Sequence, residues 1–192
     1  KKRGWNVYGT EYTDEAIRIC KSKGIQMKKG KLNPADFEGI EFDILTSIEV
    51  LEHINNPIEE LNNFNKLLRT NGIVYATTPN FNSLLRYKLK QAYNVICYPE
   101  HLGYYTPKTI TNVFKKCGFS KVKIETTGIS ITRLKTSQKK STQAFVSKES
   151  DDEVLRNKME NNKLLGLAKK IINTSLTIAG KGDSLKVTFK KK

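Results

Sequence analysis

The sequence predicts an α/β fold in which helices cover both faces of a largely parallel sheet. Three observations support this fold class. Strand-like and helical patterns alternate in the first half of the chain. Residues 42–48, Phe-Asp-Ile-Leu-Thr-Ser-Ile, are typical of a buried parallel strand. That strand is followed at once by Glu49, Glu52 and His53, which places titratable groups at the carboxyl edge of the sheet, where ligands bind in open α/β folds.

The first quarter of the chain has the order helix end, strand, helix, strand, strand. Basic residues precede Gly4, which can adopt the left-handed cap of a helix. Thr13 and the acidic pair after it have the pattern of a helix start, and Gly24 that of a helix end. The predicted elements are a helix end at 1–4, a strand at 5–10, a helix at 13–24, an edge strand at 25–27 and the strand at 42–48.

The rest of the chain continues the alternation and ends in a hairpin. Pro57 starts a helix that Asn71-Gly72 closes, because Pro suits a first turn and Gly a helix end. Two strands near the carboxyl end form a β-hairpin with a helical insertion between them. The predicted elements are a strand at 73–78, an aromatic and basic segment at 81–99, a helix at 107–117, a strand at 122–126, a polar mobile loop at 135–152, helical patterning at 153–179, a turn at 180–182 and a strand at 184–189.

Composition predicts one domain over residues 1–192, with 133–181 as an insertion or lid. The 34 Lys and Arg against 19 Asp and Glu give a net charge of +15, which suits a nucleic acid or an anionic membrane, or reflects only lysine-rich coding. No nucleic-acid-binding motif is present, so nucleic acid is not favoured. The three cysteines lack metal or disulfide spacing. Without a signal peptide or membrane-spanning run, a cytoplasmic location is expected.

Several short motifs along the chain together resemble class I S-adenosylmethionine-dependent methyltransferases. The resemblance covers residues 4–131 and 182–189, and is strongest to the small cytosolic enzymes related to ubiquinone-biosynthesis O-methyltransferases. It implies a Rossmann-like sheet and S-adenosylmethionine as cofactor. The motifs are Gly9-Thr10-Glu11, Phe42-Asp43, Val50-Leu51-Glu52-His53, Leu67-Leu68 with Gly72, Thr78-Pro79-Asn80, Glu100-His101, Thr106-Pro107, Gly118-Phe119 and Gly182-Asp183-Ser184-Leu185.

The resemblance departs from the family at the start of the chain. The first strand and the glycine-rich loop of the family are expected before Lys1, so the chain resembles a domain truncated at its amino terminus. Such a chain is expected to bind cofactor weakly, because glycines let the backbone approach the ligand closely. An unpaired central edge invites another chain, which makes a homodimer one expected partner state.

The resemblance implies cofactor contacts at the carboxyl ends of the first strands. A carboxylate at Glu11 suits two ribose hydroxyls, and the alternative is a residue that only stabilises the following helix. Tyr12 lies beside the ribose or adenine, or is a plain surface tyrosine. The implied cofactor residues are Glu11, Tyr12, Lys31, Leu32, Ser47, Ile48 and Glu49.

The two histidines are the candidates for chemistry. His101 suits a base that deprotonates a substrate, and the alternative is a structural histidine bonded to a loop carbonyl. His53, Tyr104 and Tyr105 are assigned to the substrate pocket, although the tyrosines also suit the core. Ubiquinone-type members use the E-x-x-E-H spacing of Glu49, Glu52 and His53 for a metal. Many relatives without a metal share Val50-Leu51-Glu52-His53, and no metal is predicted.

The sequence therefore predicts a methyltransferase that acts on an O or N nucleophile of a small molecule or glycan precursor. The alternative is a non-catalytic basic protein that binds nucleic acid or an anionic membrane. Residues 164–178 form an amphipathic stretch with lysines beside its apolar side. That stretch covers the mouth of the site, rests on a membrane, or packs as an ordinary satellite helix.

Overall fold

The computed structural model describes residues 3–137 and 163–192. These ranges contain both helices and strands, as the α/β prediction requires. The strands are β1 Tyr8–Glu11, β2 Gln26–Lys29, β3 Phe42–Ile48, β4 Leu68–Pro79, β5 Phe119–Thr127 and β6 Ser184–Lys191. The helices are α1 Asp14–Ser22, α2 Pro57–Leu67, α3 Leu84–Leu89, α4 Pro107–Lys116, α5 Ile131–Ser137 and α6 Lys163–Ala179, with short 3-10 turns at Pro34–Phe37, Leu51–His53 and Lys90–Ala92.

The strands form two sheets. The larger has the order β3-β4-β6-β5, with β3 parallel to β4 and β6 antiparallel to both of its neighbours. The smaller is the parallel pair of β1 and β2. The α/β fold class is confirmed, although the larger sheet is mixed rather than largely parallel, because β6 runs antiparallel to β4 and β5. The carboxyl-terminal hairpin is confirmed as well, because β5 and β6 pair directly with the helical insertion between them in the chain.

A groove separates the two sheets. Over the part of the chain that the structure describes, β1 pairs only with β2 and β3 only with β4, so their other edges border this groove. Tyr8, Phe37 and Phe42 bridge the sheets, with ring centroids 5.4–6.2 Å apart. The predicted parallel strand β3 is confirmed, but its predicted burial is wrong for Ile44, which is 46% exposed, and for Ile48, which is 52% exposed. With only one edge paired, this strand keeps part of its surface open.

The core lies between the larger sheet and helices α2 and α4. Phe114 of α4 stacks on Phe189 of β6 with centroids 4.1 Å apart, and Phe119 meets Phe114 edge to face. All three rings are buried. Helix α4 starts with a complete capping box between Thr106 and Thr109, which fixes the entry of the loop that carries His101.

Strand β4 is longer than its sequence pattern indicates. The Asn71-Gly72 pair was expected to close helix α2, but that helix ends at Leu67 and the strand begins at the next residue. Asn71 has φ +64° inside the strand. The pairing with β3 is irregular at this point, since Phe42 pairs with Leu68 and Ile44 with Ile73. The turn signal therefore marks a bulge in a strand rather than a helix end.

The insertion between β5 and β6 is partly described. Residues 135–137 belong to helix α5, so the prediction of a loop from residue 135 is wrong for these three. The rest of the predicted loop and the patterning at 153–162 lie outside the described residues. Helix α6 packs on β5 through hydrogen bonds of Thr126, Leu176 and Thr177. Its large aliphatic residues stay exposed, whereas the satellite-helix alternative expects the apolar side to pack on the domain. No helix in the described ranges is long and apolar enough to cross a membrane.

Candidate active site

The chain turns sharply where β3 ends. Glu49 has φ +51°, and its backbone N–H donates to Thr77 O of β4 at 2.9 Å. A short 3-10 turn, Leu51–His53, follows directly. The reversal places Glu49, Glu52 and His53 together at the carboxyl edge of the sheet, where the sequence predicted them.

Glu52 is a buried carboxylate that organises the loop before α4. It is 2% exposed, and its Oε2 accepts a hydrogen bond from Thr78 Oγ1 at 2.8 Å. Its carbonyl oxygen accepts from the backbone N–H groups of Leu102 and Gly103 at 2.7 and 2.9 Å. Through these contacts one residue holds the end of β4 and the His101 loop in a common position.

The two histidines lie together, with ring centroids 4.8 Å apart and planes inclined by 69°. His53 Nδ1 is 2.7 Å from Glu100 O, and His101 Nδ1 is 2.8 Å from Val95 O. Because a carbonyl oxygen only accepts, each Nδ1 carries the proton and donates. In the neutral ring each Nε2 then offers a lone pair, which suits proton abstraction or metal binding.

Glu52, His53 and His101 form the one group that could hold a metal ion within residues 3–137 and 163–192. Their ligand atoms all lie within 4.8 Å of one another. One carboxylate and two imidazoles suit Zn²⁺ or Mn²⁺ better than Mg²⁺. Glu49, part of the E-x-x-E-H pattern, is not in the group. The sequence-based expectation that no metal binds stays a prediction.

The carboxyl group of Glu49 is electrostatically unusual. Partial burial raises its pKa, and repulsion from Glu52 acts in the same direction. A hydrogen bond with Thr77 and the positive charge of Arg133 oppose these effects without cancelling them. The residue as a whole keeps solvent access. Arg133 of α5 therefore contributes its charge to the edge that Glu49 and Glu52 form.

The groove between β1 and β3 adjoins this edge and has a volume of about 450 Å³. Leu32, Ser47 and Ile48, three of the predicted cofactor residues, line it. Ser47 is buried, and its Oγ has no hydrogen-bond partner among the described residues. A buried hydroxyl without a partner suits a polar ligand group in the groove.

Glu11 ends β1 and closes a tight turn. Its Oε1 accepts from the backbone N–H groups of Tyr12 and Thr13 at 2.7 and 3.1 Å and from Thr13 Oγ1 at 3.3 Å. The Thr13 N–H, followed by that of Tyr12, lowers the pKa of this carboxyl group. The other oxygen, Oε2, takes no part in these three hydrogen bonds, and the ligand contact assigned to Glu11 stays a prediction.

The other predicted residues are more scattered. Tyr12 is exposed, and Lys31 Nζ lies 4.0 Å from a carboxylate oxygen of Glu59, so neither lines the groove. Tyr104 donates its hydroxyl to His101 O at 3.2 Å. Tyr105 is buried in the core and donates to Leu51 O at 3.3 Å, a position that matches the core alternative. The ligand contacts assigned to these residues stay predictions.

Sequence reasoning missed three residues that support the site. Thr78 and Asn80 stood in a recognised motif without an assigned role, and Arg133 carried no signal at all. Asn80 is fully buried; its Nδ2 donates to the carbonyl oxygens of Gly182 and Gly180 at 2.7 and 3.1 Å. Polar residues at the end of a buried strand and directly after it are the signal by which Thr78 and Asn80 could have been found.

Comparisons with known proteins give one matching family and several structures of similar fold. The model of the methyltransferase domain family matches residues 1–124. Similar solved structures include SAM-dependent methyltransferases from Thermotoga maritima (14% identity, TM-score 0.59, 97% of this chain and 73% of that one), Mesorhizobium loti (13%, 0.56, 99% and 82%) and Methanosarcina mazei (12%, 0.57, 98% and 83%). No curated protein matches the chain.

Proposed function

This chain belongs to the methyltransferase domain family, and from that premise we propose that it methylates an oxygen or nitrogen nucleophile on a small molecule or glycan precursor. The observation that carries the proposal is the pair of anchored histidines at the carboxyl edge of the sheet. A methyltransferase that acts on a hydroxyl or ammonium group needs a place for the departing proton. His101 has an Nε2 lone pair for it, because its Nδ1 proton is held by Val95 O.

The groove supports S-adenosylmethionine as the cofactor. Its volume of about 450 Å³ lies within the range of about 300–1,000 Å³ that small-molecule sites have. Glu11 would hold the ribose hydroxyls through Oε2, Ser47 Oγ would bond the amino-acid end, and Leu32 and Ile48 would contact apolar parts. The carboxyl groups of Glu49 and Glu52 lie at the adjoining edge, where negative charge would favour the positively charged sulfonium group of the cofactor. When bound, the cofactor supplies an electrophilic methyl group on a sulfonium centre.

The work of the chain is orientation and proton transfer. Glu52 fixes the His101 loop through its backbone carbonyl, so the imidazole keeps one position relative to the edge of the sheet. The ring centroid of His53 lies 4.8 Å from that of His101, and His53 would bind the acceptor beside the base. Tyr104, bonded to the carbonyl oxygen of His101, would form a wall of the acceptor pocket. Binding the acceptor in this position would accelerate methyl transfer through proximity and alignment of the reacting groups.

An acceptor panel tests the proposal. The chain is incubated with S-adenosylmethionine and sets of phenols, sugar alcohols and amines, and S-adenosylhomocysteine release and methylated product are followed by mass spectrometry. We expect release that depends on a hydroxyl or amine acceptor, with the methyl group on that heteroatom. Methylation at carbon, or acceptor-independent release only, would contradict the assignment.

A further inference from the structure

Helix α6 is attached to the domain by its polar side. Asn173 Oδ1 accepts from the Gly128 N–H at 2.9 Å. Thr177 Oγ1 accepts from the Thr126 N–H at 3.2 Å and donates to Thr126 O at 3.0 Å. Thr126 Oγ1 in turn donates to Leu176 O at 2.7 Å, and Leu176 is buried. A satellite helix usually packs its apolar side inward, so this attachment is the reverse of the usual one.

The apolar side of α6 faces away from the domain. Leu164 is 79% exposed, Leu167 56%, Ile171 59% and Ile178 83%. At about 100° of rotation per residue these positions lie on one side of the helix, opposite Asn173 and Thr177. We call this side the outer face of α6; its exposed large aliphatic residues are Leu164, Leu165, Leu167, Ile171, Ile172 and Ile178. An aliphatic face of this size indicates an interaction surface.

The charged residues within helix α6 are all lysines. The sequence 163–179 contains no Asp or Glu, and Lys170 is exposed beside the aliphatic residues. Lys181 follows the helix, and its ammonium group lies 4.1 Å above the ring centroid of Tyr87, which is itself exposed. Aliphatic side chains flanked by lysines are the composition of helices that lie in a lipid–water interface.

We propose that the outer face of α6 is a docking surface for an anionic lipid membrane. The helix would lie in the plane of the interface, with its aliphatic side chains among the upper parts of the acyl chains and its lysines near the lipid phosphates. Its 17 residues give an apolar strip about 25 Å long. Nucleic acid would match the lysines but offers no apolar phase for the isoleucines and leucines, and a membrane matches both.

The proposed membrane-docking surface is separate from the methyltransferase site. The anchoring contacts of α6 are to β5 and the turn after it, whereas the histidine pair lies after β3 and before α4. A protein held this way would receive acceptors at the membrane surface. The proposal does not depend on the acceptor being identified, since binding to lipid is measured without turnover.

Sedimentation with vesicles tests the proposal. The 192-residue chain is mixed with vesicles of phosphatidylcholine alone or of phosphatidylcholine with phosphatidylglycerol, and the bound fraction is measured. We expect binding to the anionic vesicles, little to the neutral ones, and a several-fold loss as salt shortens the screening length from about 10 Å to about 3 Å. Absence of binding to anionic vesicles at low salt would overturn the proposal.

Two variants separate lipid docking from protein contacts. Ile171→Asp should lower the vesicle partition coefficient about tenfold or more, because a charged group replaces an aliphatic one that would be buried in the lipid. It should leave the thermal midpoint unchanged, because Ile171 is exposed in the protein. The matched control is Ile19→Asp, at an exposed isoleucine of α1, which should bind vesicles like the unmodified chain. If Ile171→Asp unfolds the protein or dissociates a dimer in sedimentation velocity, protein covers the outer face and the proposal fails. Ile178→Asp repeats the test at the most exposed position of the face.

Discussion

Replacing Thr78 by valine removes one hydroxyl group and keeps the shape of the side chain. Thr78 is fully buried, and its hydroxyl donates to the buried Glu52 at 2.8 Å. Water cannot easily reach this carboxylate to replace the lost donor. A hydrogen bond to a charged group contributes about 1.5–3 kcal/mol, and the matched volume leaves no cavity. We expect the free energy of unfolding to fall by that amount, which lowers the thermal midpoint by about 3–12 °C for a domain of this size.

Urea denaturation followed by circular dichroism measures the effect of Thr78→Val. The matched control is Thr46→Val on β3, where the threonine is exposed, and its stability should stay within about 0.5 kcal/mol of the unmodified protein. If the two variants are equally stable, the hydrogen bond from Thr78 to Glu52 does not stabilise the fold. The account of how the His101 loop is held would then be wrong.

Three further predictions concern other polar groups. Asn80→Ala removes two donors and one acceptor and should cost about 2–3 kcal/mol in urea denaturation, while the exposed Asn62→Ala should be near neutral. Because burial raises the pKa of Glu49, its ionisation costs stability as the pH rises from 4.5 through the raised value. Glu49→Gln should therefore raise the thermal midpoint at neutral pH but not below pH 4.5. An equal gain in thermal midpoint at the two pH values would contradict this. Glu11→Gln keeps the Oε1 acceptor of the turn and loses Oε2, so calorimetry should show cofactor binding weaker by about 1–3 kcal/mol, with Asp14→Asn unchanged.

Local patterns were sufficient for much of the fold. The apolar run at 42–48 and the Thr106-Pro107 start of α4 predicted β3 and that helix almost to the residue. Each signal is local, since strand composition and helix capping act over a few neighbouring residues. The placement of Glu52 and His53 at the sheet edge followed from the end of β3 in the same way.

Long-range contacts determine the structural features that the sequence could not predict. Nothing within β3 indicates that one of its edges borders a groove, because pairing depends on the other strands present. The position of His101 beside His53 depends on contacts with Val95 and Glu52, made by separate segments. The periodicity of α6 predicted an apolar side, but only the bonds of Asn173 and Thr177 decide that this side faces outward.

The central claim is that His101 accepts the proton of the methyl acceptor. His101→Asn keeps an N–H group in the place of Nδ1, toward Val95 O, and removes Nε2. With an acceptor from the panel, we predict that kcat falls about 10²–10⁴-fold and that the acidic limb of its pH profile disappears. The paired variant His53→Asn should chiefly raise KM for the acceptor. An unchanged kcat and pH profile in His101→Asn would contradict the account.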